Sequence, residues 1–228
     1  MTFGAQVIDF HRELKPDWKI PTGIELIYPF DKDETWAVFE KFYSTYFNDS
    51  RNRTFLFGIN PGRFGAGVTG IPFTDPKILE EMLDISNPFH KRNELSSVFV
   101  YEMIHQMGGP EKFYANFYIT SICPLGFIRE GKNINYYDLR ELEDAVYPRI
   151  IENIEHQIKM GANLDVAYSM GQGKNFKFLQ KINKEHQFFG QVVPLPHPRW
   201  VLQYRLRRKQ EYLDEYVTKL HSGLKDKR

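Results

Sequence analysis

Four short apolar runs alternate with helical periodicities along this 228-residue chain, and the alternation predicts an α/β fold. The expected architecture is a three-layer α/β/α sandwich around a central four-stranded, mostly parallel sheet. Two observations carry it. The apolar runs are nearly continuous, as in strands buried on both faces. The segments between them place apolar residues three and four apart, as in helices lying on a sheet. In order, Asp33-Glu34-Thr35 opens a helix whose apolar positions are Trp36, Phe39, Phe42 and Tyr46. Thr54 to Ile59 is the first buried strand. Helical stretches follow over 77–85 and 96–107, then a second strand over 117–122 that ends at Cys123-Pro124. A long helix spans 136–160, with Leu139, Leu142, Val146, Ile150, Ile154 and Ile158 on one face. Residues 164–170 make the third strand, 175–183 a helix, 188–195 the fourth strand and 202–220 a closing helix. No repeat, low-complexity tract or Pro/Gly/Ser-rich linker divides the chain. Residues 1–50 therefore read as an N-terminal helical extension packed on one compact domain over 51–228.

Composition narrows the class. A hydrophobic content of 42% can bury a core, and 26% charged residues exclude wholesale disorder. Thirty basic side chains against 29 acidic ones give a net charge of +1, so the protein is no uniformly basic nucleic-acid coat. Any nucleic-acid site must be a local patch. The single cysteine, Cys123, excludes a disulfide framework, a cysteine zinc site and a four-cysteine iron–sulfur cluster. No H-E-x-x-H occurs and the histidines are scattered, so neither metal nor cofactor is expected. The first 14 residues carry Asp9, His11, Arg12 and Glu13, which is no secretory signal, and no uncharged run can span a membrane. The expectation is a soluble cytoplasmic monomer, nucleoid-associated if bacterial.

In doubly covered parallel sheets, ligands sit beyond the carboxyl ends of the strands. One motif there misleads. Gly65-Ala66-Gly67-Val68-Thr69-Gly70 spells G-x-G-x-x-G, but Pro72 forces Ile71 extended where the fingerprint needs a helix, and no acidic strand end follows. A nucleotide cofactor is not indicated. After the first strand, Pro61 holds Asn60 extended, so that its amide projects from the strand end and can orient water or a polar ligand group. Gly62 permits close backbone approach. Phe73, fixed behind Pro72, offers a flat stacking surface. An Asx-turn for Asn60 and a core position for Phe73 are the plain alternatives. Prolines on both sides keep His197 out of a helix at the fourth strand end. Arg199, Arg205, Arg207, Arg208 and Lys209 follow without an acid, interleaved with Trp200 and Tyr204. Such a run suits phosphates, or else is the solvated face of the last helix.

Gly58-Ile59-Asn60-Pro61-Gly62, Phe64-Gly65 and Thr69-Gly70-Ile71-Pro72-Phe73 together resemble the first active-site motif of the single-strand-selective monofunctional uracil-DNA glycosylases. The likeness resumes at Asn93-Glu94-Leu95-Ser96-Ser97, Glu111-Lys112-Phe113-Tyr114, Cys123-Pro124-Leu125 and His197-Pro198. The resemblance implies the uracil-DNA glycosylase fold and a monofunctional, cofactor-free base excision. Asn60 would position the hydrolytic water. Phe73 would stack on a base flipped from DNA, with Ile59 and Gly62 beside it. His197 would donate a hydrogen bond to the departing base. Asp75 would assist with water, or cap the helix that begins near Lys77. Pro198, Arg199, Trp200, Arg205 and Arg208 would contact DNA.

Two departures from the family pattern matter. Ser121 stands where the family has an asparagine that pairs with uracil, and a single hydroxyl cannot make an amide's two-point contact. Xanthine or hypoxanthine therefore joins uracil as a candidate base. The wedge after the histidine is also shortened to His197-Pro198-Arg199-Trp200, so either Arg199 or Trp200 fills the vacated base position, or duplex invasion is weak and single strands are preferred. A non-catalytic single-stranded nucleic-acid binder is the alternative of a different class.

Overall fold

Phe55, Leu56 and Phe57 are each completely buried, because their strand is covered from both sides. The structure is a computed structural model that describes residues 1–225; the last three positions of the expected 51–228 domain lie outside the described residues. In chain order the elements are α1 (Phe3–Glu13), β1 (Ile24–Ile27), α2 (Asp33–Tyr46), β2 (Thr54–Gly58), α3 (Ala66–Thr69), α4 (Pro76–Glu81), α5 (Leu95–Gln106) and α6 (Pro110–Tyr114). There follow β3 (Phe117–Ser121), β4 (Gly126–Arg129), β5 (Lys132–Ile134), α7 (Arg140–Lys159), β6 (Val166–Met170), α8 (Lys174–His186), β7 (Gln191–Leu195), α9 (Pro198–Tyr204) and α10 (Lys209–Lys225).

The main sheet has the order β3-β2-β6-β7 and every pairing in it is parallel, as the unbroken apolar runs predict. Strand alternation sends side chains to two covered faces. On one, Phe55 and Tyr118 meet Phe3 of α1, and Thr120 donates to Gln157 of α7 at 2.6 Å. On the other, Tyr168 donates to the Lys219 carbonyl of α10 at 2.7 Å, and Tyr216 of α10 packs on Phe99 of α5. That is the predicted three-layer sandwich.

Three features differ from the sequence reading. A second, antiparallel sheet of order β1-β4-β5 lies beside the first. Its β4–β5 hairpin turns through Glu130 and Gly131, both at positive φ, and its strands of four and three residues are too short to show a period. Residues 1–50 contribute β1 to this sheet as well as two helices. The closing helix is broken at Arg205 (φ −134°), which leaves α9, a single 3₁₀ turn over Leu206–Arg208, and α10. No helix among the described residues is long and apolar enough to cross a membrane.

Candidate active site at the carboxyl end of the sheet

The loops after β2, β3, β6 and β7 enclose a cleft of about 620 Å³. Its wall is completed by β5 and the segment after it, which supply Asn133, Asn135 and Tyr137. Register brings the ends of β2 and its edge neighbour β3 together: Gly58 faces Ser121, and the Ile122 and Cys123 amides donate to the Gly58 and Ile59 carbonyls at 3.0 and 3.1 Å.

Asn60 lies in the cleft, but its amide does not stand free. Its Oδ1 accepts from the Tyr136 amide at 3.1 Å, and its Nδ2 donates to the Ile134 and Pro61 carbonyls at 3.4 and 3.3 Å. The neighbouring backbone thus locks the side chain, and one lone pair of Oδ1 remains for a ligand. Phe73 also lines the cleft, in the left-handed region at φ +54°. That is a strained conformation for a bulky residue. It turns the ring over Gly58, where a Cβ would lie 2.9 Å from ring atom Cε2. Ile59, Gly62 and Ser121 line the same space. Among the described residues the Ser121 hydroxyl has no hydrogen-bond partner, so it is available to a ligand.

His197 sits at the N-cap of α9, where its Nδ1 accepts from the Arg199 amide at 3.2 Å. Burial, with the Arg199 charge beside it, pushes the imidazole pKa down to about 4. At neutral pH the ring is therefore uncharged. With Nδ1 occupied as acceptor, the proton resides on Nε2. The ring is 6.3 Å from that of Phe73, between centroids.

Asp75 is not part of the cleft. It is completely buried, and its carboxylate accepts from the Lys77, Ile78 and Glu94 amides at 3.0, 2.9 and 3.0 Å. The capping alternative is the one the structure contains. The glycine-rich stretch is likewise local: Ala66–Thr69 forms one helical turn, closed by Gly70 at φ +74°. Cys123 is buried, which holds its thiol far above the usual range and leaves it no nucleophilic role.

The basic run divides in space. Arg199 and Trp200 line the cleft, and Pro198 is the buried first residue of α9. The Arg205 guanidinium lies over the Trp200 ring at 4.9 Å. Arg208 instead donates to Glu211, three positions on, at 2.7 Å, and Lys209 to Glu102, distant in sequence, at 2.8 Å, so acids neutralise both. Other cations compensate. Arg92 and Arg63 lie over Phe64 at 3.9 and 4.7 Å, and Lys174 over Tyr137 at 5.7 Å. Tyr204 and Leu206 project at the helix break, 60% and 63% exposed.

Sequence reasoning misses Glu94, Lys174 and the Asn133–Tyr137 wall as cleft residues. Lys174 follows a strand end and is in principle findable there. The wall hangs on the unrecognised hairpin. Glu94 comes from the N-terminus of α5, which no strand rule indicates.

Beyond the strand ends of the parallel sheet, the aromatic ring of Phe73, the amide of Asn60 and the neutral imidazole of His197 thus line one cleft. Residues 44–221 match the sequence description of the Uracil DNA glycosylase superfamily. The chain belongs to the uracil-DNA glycosylase superfamily and is of SMUG type. The crystal structure of wild-type Pedobacter heparinus SMUG2 superposes with a TM-score of 0.94 at 46% identity, covering 97% of this chain and 98% of that one. The single-strand selective monofunctional uracil DNA glycosylases of Mus musculus and Bos taurus are each 24% identical, over 139 and 122 residues. Those alignments cover 53% and 46% of this chain, and 49% and 44% of the relatives. The chain thus spans about half the length of the curated relatives it matches.

Proposed function

We propose that this protein is a monofunctional DNA glycosylase that hydrolyses the N-glycosidic bond of uracil or a related deaminated base. The observation that carries this reading is the neutral His197 ring, fixed as an Nε2 donor in a cleft floored by Phe73. As the glycosidic bond breaks, its electron pair passes to the base and the sugar becomes oxocarbenium-like. A neutral donor aimed at the base oxygen gains most at that moment, because the oxygen carries little charge beforehand. Asn60 holds the attacking water through its remaining lone pair. Phe73 stacks on the extruded base and offsets part of its unstacking cost of a few kcal/mol. Arg199, Arg205 and Arg92 contact the phosphates of a DNA strand, with Trp200 and Tyr204 as stacking platforms. The abasic strand stays intact until alkali is added.

Ser121 favours a broad base range. Its hydroxyl both donates and accepts, so it serves the edge of uracil and also that of xanthine or hypoxanthine.

The test is base release from labelled single- and double-stranded oligonucleotides carrying uracil, xanthine or hypoxanthine, followed by alkaline cleavage. His197→Ala is expected to lower the single-turnover rate about 100- to 1,000-fold. Strand breakage without alkali would contradict the monofunctional chemistry. Binding with no release of any base would leave the non-catalytic alternative.

A further inference from the structure

An amide cannot take a proton at neutral pH, so the proposed hydrolysis leaves a step without an agent. Attack on the sugar turns water into a C1′ hydroxyl, and one water proton must leave. Asn60 positions but cannot accept it, and the basic nitrogen of His197 is occupied by the Arg199 amide. Among the described residues lining the cleft there is a single carboxylate, Glu94.

Several independent features hold that carboxylate where it is. Glu94 is the N-cap residue of α5, a place where the shorter Asp, Asn, Ser and Thr side chains turn back onto the first helical amides. Here no such bond is made. Among the described residues the carboxylate has no hydrogen-bond donor at all, although it is half-buried. An ionised group so placed is costly unless a ligand or water satisfies it. The chain makes room for it instead of covering it. A Cβ on Gly65 would lie 2.4 Å from Glu94 Oε2 and 2.8 Å from Cδ, and one on Gly62 would lie 3.9 Å from Oε1. The Glu94 amide is pinned by the buried Asp75 carboxylate at 3.0 Å, which orients the residue from behind.

We propose that Glu94 is a further catalytic residue of this cleft, accepting the proton of the attacking water and balancing the positive charge that develops on the sugar. The inference rests on the glycosylase reading above. The C1′–N bond breaks with its electron pair going to the base, which His197 Nε2 stabilises. Water oxygen bonds to C1′ and its proton passes to the Glu94 carboxylate. Glu94 then returns that proton to solvent, and the expelled base anion takes one up.

The groups facing Glu94 are Asp75 at the start of α4, Arg199 on α9 and Arg92 in its own loop. Burial and then Asp75 raise its carboxyl above the usual range, while Arg199 and Arg92 oppose that rise. A base of raised affinity is better matched to neutral pH.

Glu94→Gln keeps the shape and removes the proton acceptor. In single-turnover release of uracil from a single-stranded oligonucleotide, the variant is expected to lose at least about 100-fold in rate. Its affinity for the same oligonucleotide with non-hydrolysable 2′-fluorodeoxyuridine should stay within about threefold of the parent, because the step lost lies after binding. The parent's acid limb should lie above the usual carboxylate range. In the variant that limb should vanish and leave the fall near pH 4 that belongs to His197. In Glu94→Ala, added formate should restore part of the rate. A Glu94→Gln rate within about threefold of the parent overturns the proposal, as does a loss that leaves the upper acid limb in place. Failure of the parent protein to release any base would instead defeat the glycosylase reading, so the two failures are distinguishable.

Discussion

The cleft depends on side chains whose atoms are committed in unequal measure. His197 spends Nδ1 on a helix amide and keeps Nε2–H for the ligand; Asn60 spends most of its amide on the 134–136 backbone and keeps one lone pair. Phe73 accepts a left-handed backbone so that its ring covers Gly58. Gly58 makes that ring position possible, because only a residue without a Cβ leaves space for the ring. Gly58→Ala puts a methyl 2.9 Å from Cε2, so either the ring or β2 must move. Since β2 is an inner strand buried along its whole length, the ring is the part that yields. We expect a loss of about 1–3 kcal/mol in stability, measured by urea denaturation, together with at least a tenfold loss of base release. An unchanged release rate would show that the Phe73 plane is not the floor of the pocket. At this scale the sequence is informative about which residues converge, since Asn60, Gly62, Phe73, Ser121 and His197 all line the cleft. It is blind to how their atoms are shared, because hydrogen bonds to residues more than 70 positions away leave no local pattern.

Between elements, the junction of α4 and α5 has the largest consequence for the site. Asp75 bonds two amides of α4 with one oxygen and the Glu94 amide with the other, so a single carboxylate sets both helix starts. Removing it leaves three N–H groups, that of Ile78 buried and those of Lys77 and Glu94 partly buried, without their acceptor. Asp75→Ala is expected to cost about 2–4 kcal/mol, from the lost cap and the unsatisfied donors together. Asp75→Asn keeps the acceptor oxygen and should recover more than half of that in the same chemical-denaturation series. If Asp75→Ala unfolds with the parent's midpoint, the junction does not depend on this cap. The sequence discloses the parallel sheet and its flanking helices because long, strongly periodic elements impose their own pattern. It hides the three-stranded sheet, whose members are three or four residues long. It also hides the break at Arg205, which no Gly or Pro over 199–209 marks. The projecting Tyr204 and Leu206 are products of that break.

Over the whole molecule, net charge says little and proton balance says more. Two histidines share the same lowered proton affinity. His11 is 8% exposed among Phe10, Phe30 and Phe39, donates Nδ1–H to the Val7 carbonyl at 2.8 Å, and has its pKa pushed down by burial to about 4. His197 is pushed to about 4 as well. In the unfolded chain both return to about 6.5. Between pH 6.5 and 4 the unfolded state therefore binds more protons than the folded one, and stability falls as pH falls through that window. Above 6.5 both rings are neutral in either state and the contribution is complete. Glu94 acts with the opposite sign, because its carboxyl is held above its usual range and the folded state keeps that proton longer. Asp49, held well below the usual range by Arg53, is lost only at still lower pH. The buried His11 is thus the cleaner probe. Its full effect is about 3 kcal/mol, and its largest slope about 1.4 kcal/mol per pH unit. His11→Leu fills the same apolar site without a titrating group. Urea midpoints taken from pH 7.5 to 4.5 should fall steeply for the parent and by about that slope less for the variant, while base release at neutral pH stays as in the parent. Parallel curves for the two proteins would mean that His11 takes up its proton as readily in the folded core as in the unfolded chain.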